Sequence, residues 1–192
     1  MEKALVYIDA GFLSKVSKNL GGGIPIKFDL LKFCKNLTGK QNLIFKQLYY
    51  YNAPPFQPSN PTREEKARKE RYDLFIQSLK RESGVTVREG RCQRLKIDGK
   101  YVYKQKGVDT LMTMDLMYVP LEHEKIKDII IIASDSDFVP IIKRLRELGI
   151  KITLFTYFDR QRDSKFSTSN NLLKAVNKYI QLSVNDFLDS KR

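Results

Sequence analysis

Four aspartates stand where an α/β protein assembles its chemistry. Asp9 closes the apolar run 4–8, and Asp135 and Asp137 follow the apolar run 129–133 in the segment Ala133-Ser-Asp-Ser-Asp-Phe138. Asp109 opens a helical pattern in Lys106-Gly-Val-Asp109. If the two apolar runs are adjacent parallel strands, three carboxylates meet at one sheet edge, and the Asp109 helix can bring a fourth. Gathered carboxylates repel, and without compensation their pKa values rise. A divalent cation removes that conflict, and an oxygen-only donor set suits Mg2+ or Mn2+ rather than zinc. Such an ion binds phosphate oxygens, activates a water and steadies a leaving alkoxide. Nucleophile–histidine chemistry has little to draw on, because the one histidine, His123, falls in a polar loop with no partner near it in sequence. Each aspartate also has a plainer use. An acid after a strand often caps the next helix, and Asp135 or Ser136 could cap a helix that begins at Phe138.

Positioning these acids calls for an alternating fold. Strand patterns occupy 4–8, 43–51, 85–89, 129–133 and 151–157, with helical spacing over 28–36, 108–118, 138–148 and 170–181. The prolines between 51 and 61 deny both ladder and helix and predict a loop. Thr62-Arg-Glu-Glu then reads as a capping box for a charged helix to about residue 82, with Tyr72, Phe75, Ile76 and Leu79 on its apolar side. Strands separated by helices predict an α/β fold with a mostly parallel sheet and right-handed crossovers. Such sheets place ligands beyond the carboxyl ends of their strands, where the aspartates fall. One domain is expected over 1–192, with a hairpin inserted at about 92–105 and a closing helix at about 170–181.

The hairpin follows from Asp98-Gly99, a pair suited to a two-residue turn. Such a turn pairs Arg94 with Tyr103 and Lys96 with Tyr101 on one face, and Leu95 with Val102 and Ile97 with Lys100 on the other. The first face is basic and aromatic, which suits phosphate contact and base stacking; the alternative is that its tyrosines pack on the body of the domain. Gly21-Gly-Gly23 has no phosphate-loop pattern and predicts a loop near the edge of the site.

Charge supports a polyanionic partner. Thirty-five Lys and Arg against 22 Asp and Glu give +13, and 63–106 alone holds 14 basic and 7 acidic residues, or +7 of that surplus. Phosphate neutralisation supplies most non-specific affinity for nucleic acid. No apolar run is long enough for a membrane span and the amino terminus enters a strand pattern at once, so no membrane association and no signal peptide are expected. Cys34 and Cys92 are far apart and fit neither a disulfide framework nor a zinc site, which points to a reducing cytoplasm. Composition leaves room for a homodimer.

The segments Tyr7-Ile-Asp9-Ala-Gly-Phe-Leu, Lys106-Gly-Val-Asp109 with Asp115 six residues on, and Ser134-Asp-Ser-Asp137-Phe-Val-Pro-Ile-Ile resemble the NYN domain of the PIN-like nuclease superfamily, in its LabA-like branch. Arg146-Glu-Leu-Gly149-Ile-Lys-Ile resembles that family's next strand, and the stretch from Ser169 to Leu182 its closing helix. The resemblance implies a PIN-like three-layer fold with central strand order 3-2-1-4-5, a Mg2+ or Mn2+ site and cleavage of RNA, single-stranded RNA being favoured and DNA left open. Carried over, Asp9, Asp109, Asp135 and Asp137 form the metal cluster and the catalytic set. Asp115 becomes a supporting acid, Ser134 a holder of water or the end of its strand, and Lys106 a phosphate contact or a surface lysine. Arg94, Lys96, Tyr101 and Tyr103 join Lys106 as expected nucleic-acid contacts. Two positions depart from the family: Phe12 stands where Asn is frequent and Asn177 where Asp is frequent. Both imply a lost polar group near the site, and they motivate the alternative of a weak or inactive RNA-binding regulator.

Overall fold

Ile129, Ile130, Ile131 and Ile132 are all fully buried, so the strand they form must be covered on both faces. A computed structural model, describing residues 1–159 and 166–191, shows how. In chain order the elements are β1 (Lys3–Asp9), α1 (Ala10–Leu20), α2 (Leu30–Gly39), β2 (Ile44–Asn52), α3 (Arg63–Arg81), β3 (Val85–Glu89), β4 (Arg91–Ile97) and β5 (Lys100–Lys106). They continue with α4 (Val108–Glu122), β6 (Asp128–Ile132), a 3-10 turn (Ser136–Phe138), α5 (Val139–Glu147), β7 (Lys151–Thr156), α6 (Asn170–Ala175), β8 (Lys178–Gln181) and α7 (Val184–Leu188).

Among the described residues six strands form one sheet in the order β3-β2-β1-β6-β7-β8, and every pairing in it is parallel. Side-chain alternation divides the core in two. Leu5, Tyr7, Tyr49, Tyr51, Ile129 and Ile131 face α4, α5 and α6, where Met112, Leu116, Ile142 and Leu172 meet them. Val6, Ile8, Leu48, Ile130 and Ile132 face α1, α2 and α7, against Phe12, Val16, Phe33, Leu37 and Phe187. The result is the three-layer α/β arrangement expected. No helix among the described residues is long and apolar enough to cross a membrane.

The expected strand order, 3-2-1-4-5, needs correction. Among the described residues the hairpin strands β4 and β5 pair only with each other, so they take two numbers without joining the sheet. A sixth strand, β8, then extends the far edge. It lies where one helix was expected over 170–181. That helix stops at Ala175 because Val176, Tyr179 and Ile180 prefer extended backbone. Asn177 completes the break, its Oδ1 accepting from the backbone N–H of Ile152 at 2.9 Å. Residues 10–20, for which no element was expected, form α1.

The hairpin adopts the predicted register, residue for residue, from Arg91↔Lys106 to Ile97↔Lys100. Its turn has positive φ at both Asp98 (50°) and Gly99 (77°), as a primed turn requires. At its base Gly90 is packed too closely for a side chain: an added Cβ would lie 2.5 Å from the Lys106 carbonyl oxygen.

Candidate active site

The chain runs outward from the middle of the sheet in both directions, β1 to β2 to β3 on one side and β6 to β7 to β8 on the other. The order therefore reverses between β1 and β6, and open parallel sheets bind ligands at that point, outside the carboxyl ends. Asp9 ends β1, and Ser134 to Asp137 follow β6.

Asp9 caps α1. Its Oδ1 accepts from the N–H groups of Gly11 (2.9 Å) and Phe12 (3.1 Å). Both bonds fall on one oxygen, so the cap does not use the other. Asp135 caps the 3-10 turn, its Oδ1 accepting from the N–H of Asp137 at 2.9 Å. Both residues thus cap the element that follows them and still line the cleft. Asp109 lies in the first turn of α4, entered through Gly107 at φ 81°. Asp9, Asp109, Asp135 and Ser134 line one cleft of about 640 Å3.

The carboxylates feel one another. Burial pushes the Asp9 carboxyl above the ordinary aspartate value; the two cap bonds and Lys15 oppose this, and Asp135 adds to it. Burial also raises Asp109, followed by the charges of Asp9, Asp135 and Asp137. Asp137 thus belongs to the same electrostatic group, although its side chain is exposed at the rim. Among the described residues, no three His, Cys, Asp or Glu side chains are arranged to hold a metal ion as they stand. The donor set nevertheless suits a hard divalent cation in kind, being carboxylate and hydroxyl oxygen around one cleft whose charge conflict Lys15 and the cap bonds only partly offset. Asp109 and Asp137 are both exposed, so rotation of their side chains is the movement that closer convergence requires.

Other expected site residues lie elsewhere. Asp115 is turned away from the cleft, accepting from Tyr51 Oη at 2.7 Å and from Arg88 Nε and Nη2 at 3.0 and 3.1 Å. Lys106 is exposed at the end of β5 and does not line the cleft. Asn177 sits at the opposite, amino-terminal end of the sheet, level with Ile152, so its difference from the family pattern does not touch the acids. Phe12 does line the cleft while its ring is buried in the core. Gly21 borders a separate cavity of about 900 Å3, lined mostly by apolar residues with Ser14, Ser17, Lys27 and Lys191, and by no carboxylate among the described residues. The glycine loop thus lies at the far end of α1 rather than at the site edge.

In the hairpin, the Arg94 guanidinium stacks on the rings of Tyr101 (4.4 Å) and Phe56 (4.8 Å). Arg94 therefore ties the hairpin to the proline loop, while Lys96 stays exposed.

Several contributors to the cleft were not foreseen, among them four polar residues. Lys15 comes from α1, and reading 10–20 as a helix would have placed it one turn beyond Phe12. Gln105 comes from β5, its side chain reaching the place where a Gly11 Cβ would be, with Oε1 3.2 Å away. Thr168 and Ser169 come from the segment before α6, and no local sequence signal ties that segment to the aspartates.

The NYN-domain profile matches residues 3–183. The crystal structure of a protein of unknown function from Vibrio parahaemolyticus superposes with a TM-score of 0.58 at 16% identity, covering 97% of this chain and 95% of that one. At that identity the similarity concerns fold. No curated protein matches the chain.

Proposed function

The chain belongs to the NYN-domain family of the PIN-like nuclease superfamily, and from that membership we propose that it is a divalent-metal-dependent endoribonuclease of the LabA-like branch, acting on single-stranded RNA. One observation carries the reading: Asp9, Asp109 and Asp135 line a single cleft at the reversal point of the sheet, with mutual repulsion that a cation would relieve. These three would hold Mg2+ or Mn2+, with Asp137 joining from the rim. Such an ion supplies Lewis-acid polarisation of phosphate oxygens and a water of lowered pKa.

The remaining chemistry belongs to the chain. Asp9 and Asp135 are fixed by their cap bonds, so little reorganisation is needed at two of the carboxylates. Lys15 sets an ammonium beside Asp9, where it can offset charge on a bound phosphodiester. The hydroxyls of Ser134 and Thr168 line the same space and can orient water. Lys106 and Lys96, both exposed on the hairpin, would neutralise phosphates of the strand leading in. None of these groups distinguishes ribose from deoxyribose, so single-stranded DNA is the natural comparison substrate. The free thiols Cys34 and Cys92 suit a reducing, cytoplasmic setting.

Purified protein should cut single-stranded RNA with Mn2+ and stop with EDTA. Asp9→Asn and Asp135→Asn should each abolish cutting, since Asn keeps the cap and removes the charge. Metal-dependent cutting that survives both substitutions would place the active site elsewhere. A second reading, a non-catalytic RNA-binding regulator, is favoured by Phe12 at the cleft and by the spacing of the acids. It predicts salt-sensitive RNA binding with no heat of Mn2+ binding by calorimetry.

A further inference from the structure

Beside the acidic cleft lies a second, smaller cavity of about 360 Å3 between the proline loop, α3 and the hairpin. Asn52, Arg68, Tyr72, Cys92, Tyr103 and Gln105 line it. Gln105 lines both cavities, so the two adjoin at one carboxamide. We propose that this groove holds an unpaired nucleobase of the substrate strand, next to the phosphodiester at the aspartates. The inference rests on the nuclease reading and deepens it by naming where the strand is held.

Size, aromatic surface and charge agree. The volume lies near the lower end of ligand pockets, about 300–1,000 Å3, which suits one nucleotide rather than a base pair. Tyr103 is 48% exposed and packs against Phe56 with centroids 6.0 Å apart, leaving ring surface for stacking. Arg94, stacked on Phe56 and Tyr101, braces the wall that carries Tyr103. Arg68 is exposed, and among the described residues no carboxylate pairs with it, so its charge is available to a phosphate. The bond from Gln105 Nε2 to Asn52 Oδ1 is 3.5 Å long, at the limit of a hydrogen bond. Exchanging it for bonds to a base edge therefore sacrifices little.

Cys92 supplies a direct reporter. It is half-buried in the groove wall, whereas Cys34, the other cysteine, is fully buried. A fluorescein-labelled single-stranded RNA octamer, bound in EDTA so that it is not cut, should slow alkylation of Cys92 by iodoacetamide, followed by mass spectrometry. Tyr103→Ala should weaken octamer binding about tenfold by anisotropy, with Tyr103→Phe restoring it. Arg68→Ala should weaken it while leaving Mn2+ affinity unchanged. Octamer binding that leaves Cys92 alkylation unaltered would overturn the groove assignment and leave the nuclease reading standing. Octamer binding undiminished in Tyr103→Ala would do the same. Failure of the wild-type chain to bind the octamer at low salt would overturn the RNA reading and the groove together.

Discussion

Asp109 concentrates the charge conflict of the cleft, since burial and three neighbouring aspartates all hold its carboxyl up. A raised folded-state pKa means that ionisation opposes folding. Its stabilising contribution is full below the ordinary aspartate value of about 3.9 and is lost as pH rises through the raised value. Asp109→Asn should therefore melt higher than wild type at pH 7–8 in EDTA, and the gap should close near pH 4. The carboxyl is partly desolvated but the residue as a whole stays well exposed, so solvent screening keeps the expected gain under about 1 kcal/mol, or at most about 2–4 °C for a chain of this length. Mn2+ should reverse the order by stabilising only the wild type strongly. A wild type that melts higher without metal at pH 8 would contradict the strained-cleft picture. At the same scale, Asp115 shows what a motif cannot convey. Its spacing from Asp109 is visible in sequence, but its commitment to Tyr51 and Arg88 depends on β2 and β3 lying beneath α4.

Elements differ in how much of themselves they announce. The hairpin is legible because a two-residue turn leaves one register, and every pair follows from it. Gly99→Val should strain the turn, whose φ of 77° disfavours a β-branched side chain. Faster hydrogen exchange confined to 91–106, with the rest of the chain unchanged, is the expected signature. Lys96→Ala should flatten the salt dependence of RNA binding by about 0.7 in log–log slope, the single-strand value for one phosphate contact. Arg94→Ala should instead loosen the hairpin against Phe56, seen as faster exchange in 52–57, because its charge is already stacked between rings. The segment 170–181 was illegible for the opposite reason. Its apolar spacing fits a helix, but the open edge of β7 offers backbone bonds that 178–181 can complete only as a strand.

At the scale of the molecule, α7 fastens the carboxyl end of the chain to α2. Phe187 packs on Phe28 and Phe33, and Asp186 accepts from Lys40 Nζ at 2.9 Å. Burial alone would raise the Asp186 carboxyl, but Lys40 and the N–H and hydroxyl of Ser183 outweigh it and hold it below the usual value. A lowered pKa contributes stability above about pH 4 that is lost as pH falls through the depressed value. Asp186→Asn should therefore cost about 2 kcal/mol at pH 7, or roughly 4–8 °C, with the difference shrinking below pH 4. Equal melting at pH 7 would remove Asp186 from the fastening. Sequence alone determined the α/β class, the basic surplus and the strand-end positions of Asp9 and Asp135, because periodicity and end signals are local. It could not determine that Lys15, Gln105 and Thr168 share a cleft with those acids, or that Asn177 does not. Those facts depend on which strand neighbours which and how far each runs, and hydrogen bonds between residues distant in the chain decide both. The tertiary structure sets the reversal of the sheet between β1 and β6, and that reversal brings Asp9, Asp109 and Asp135 to one cleft.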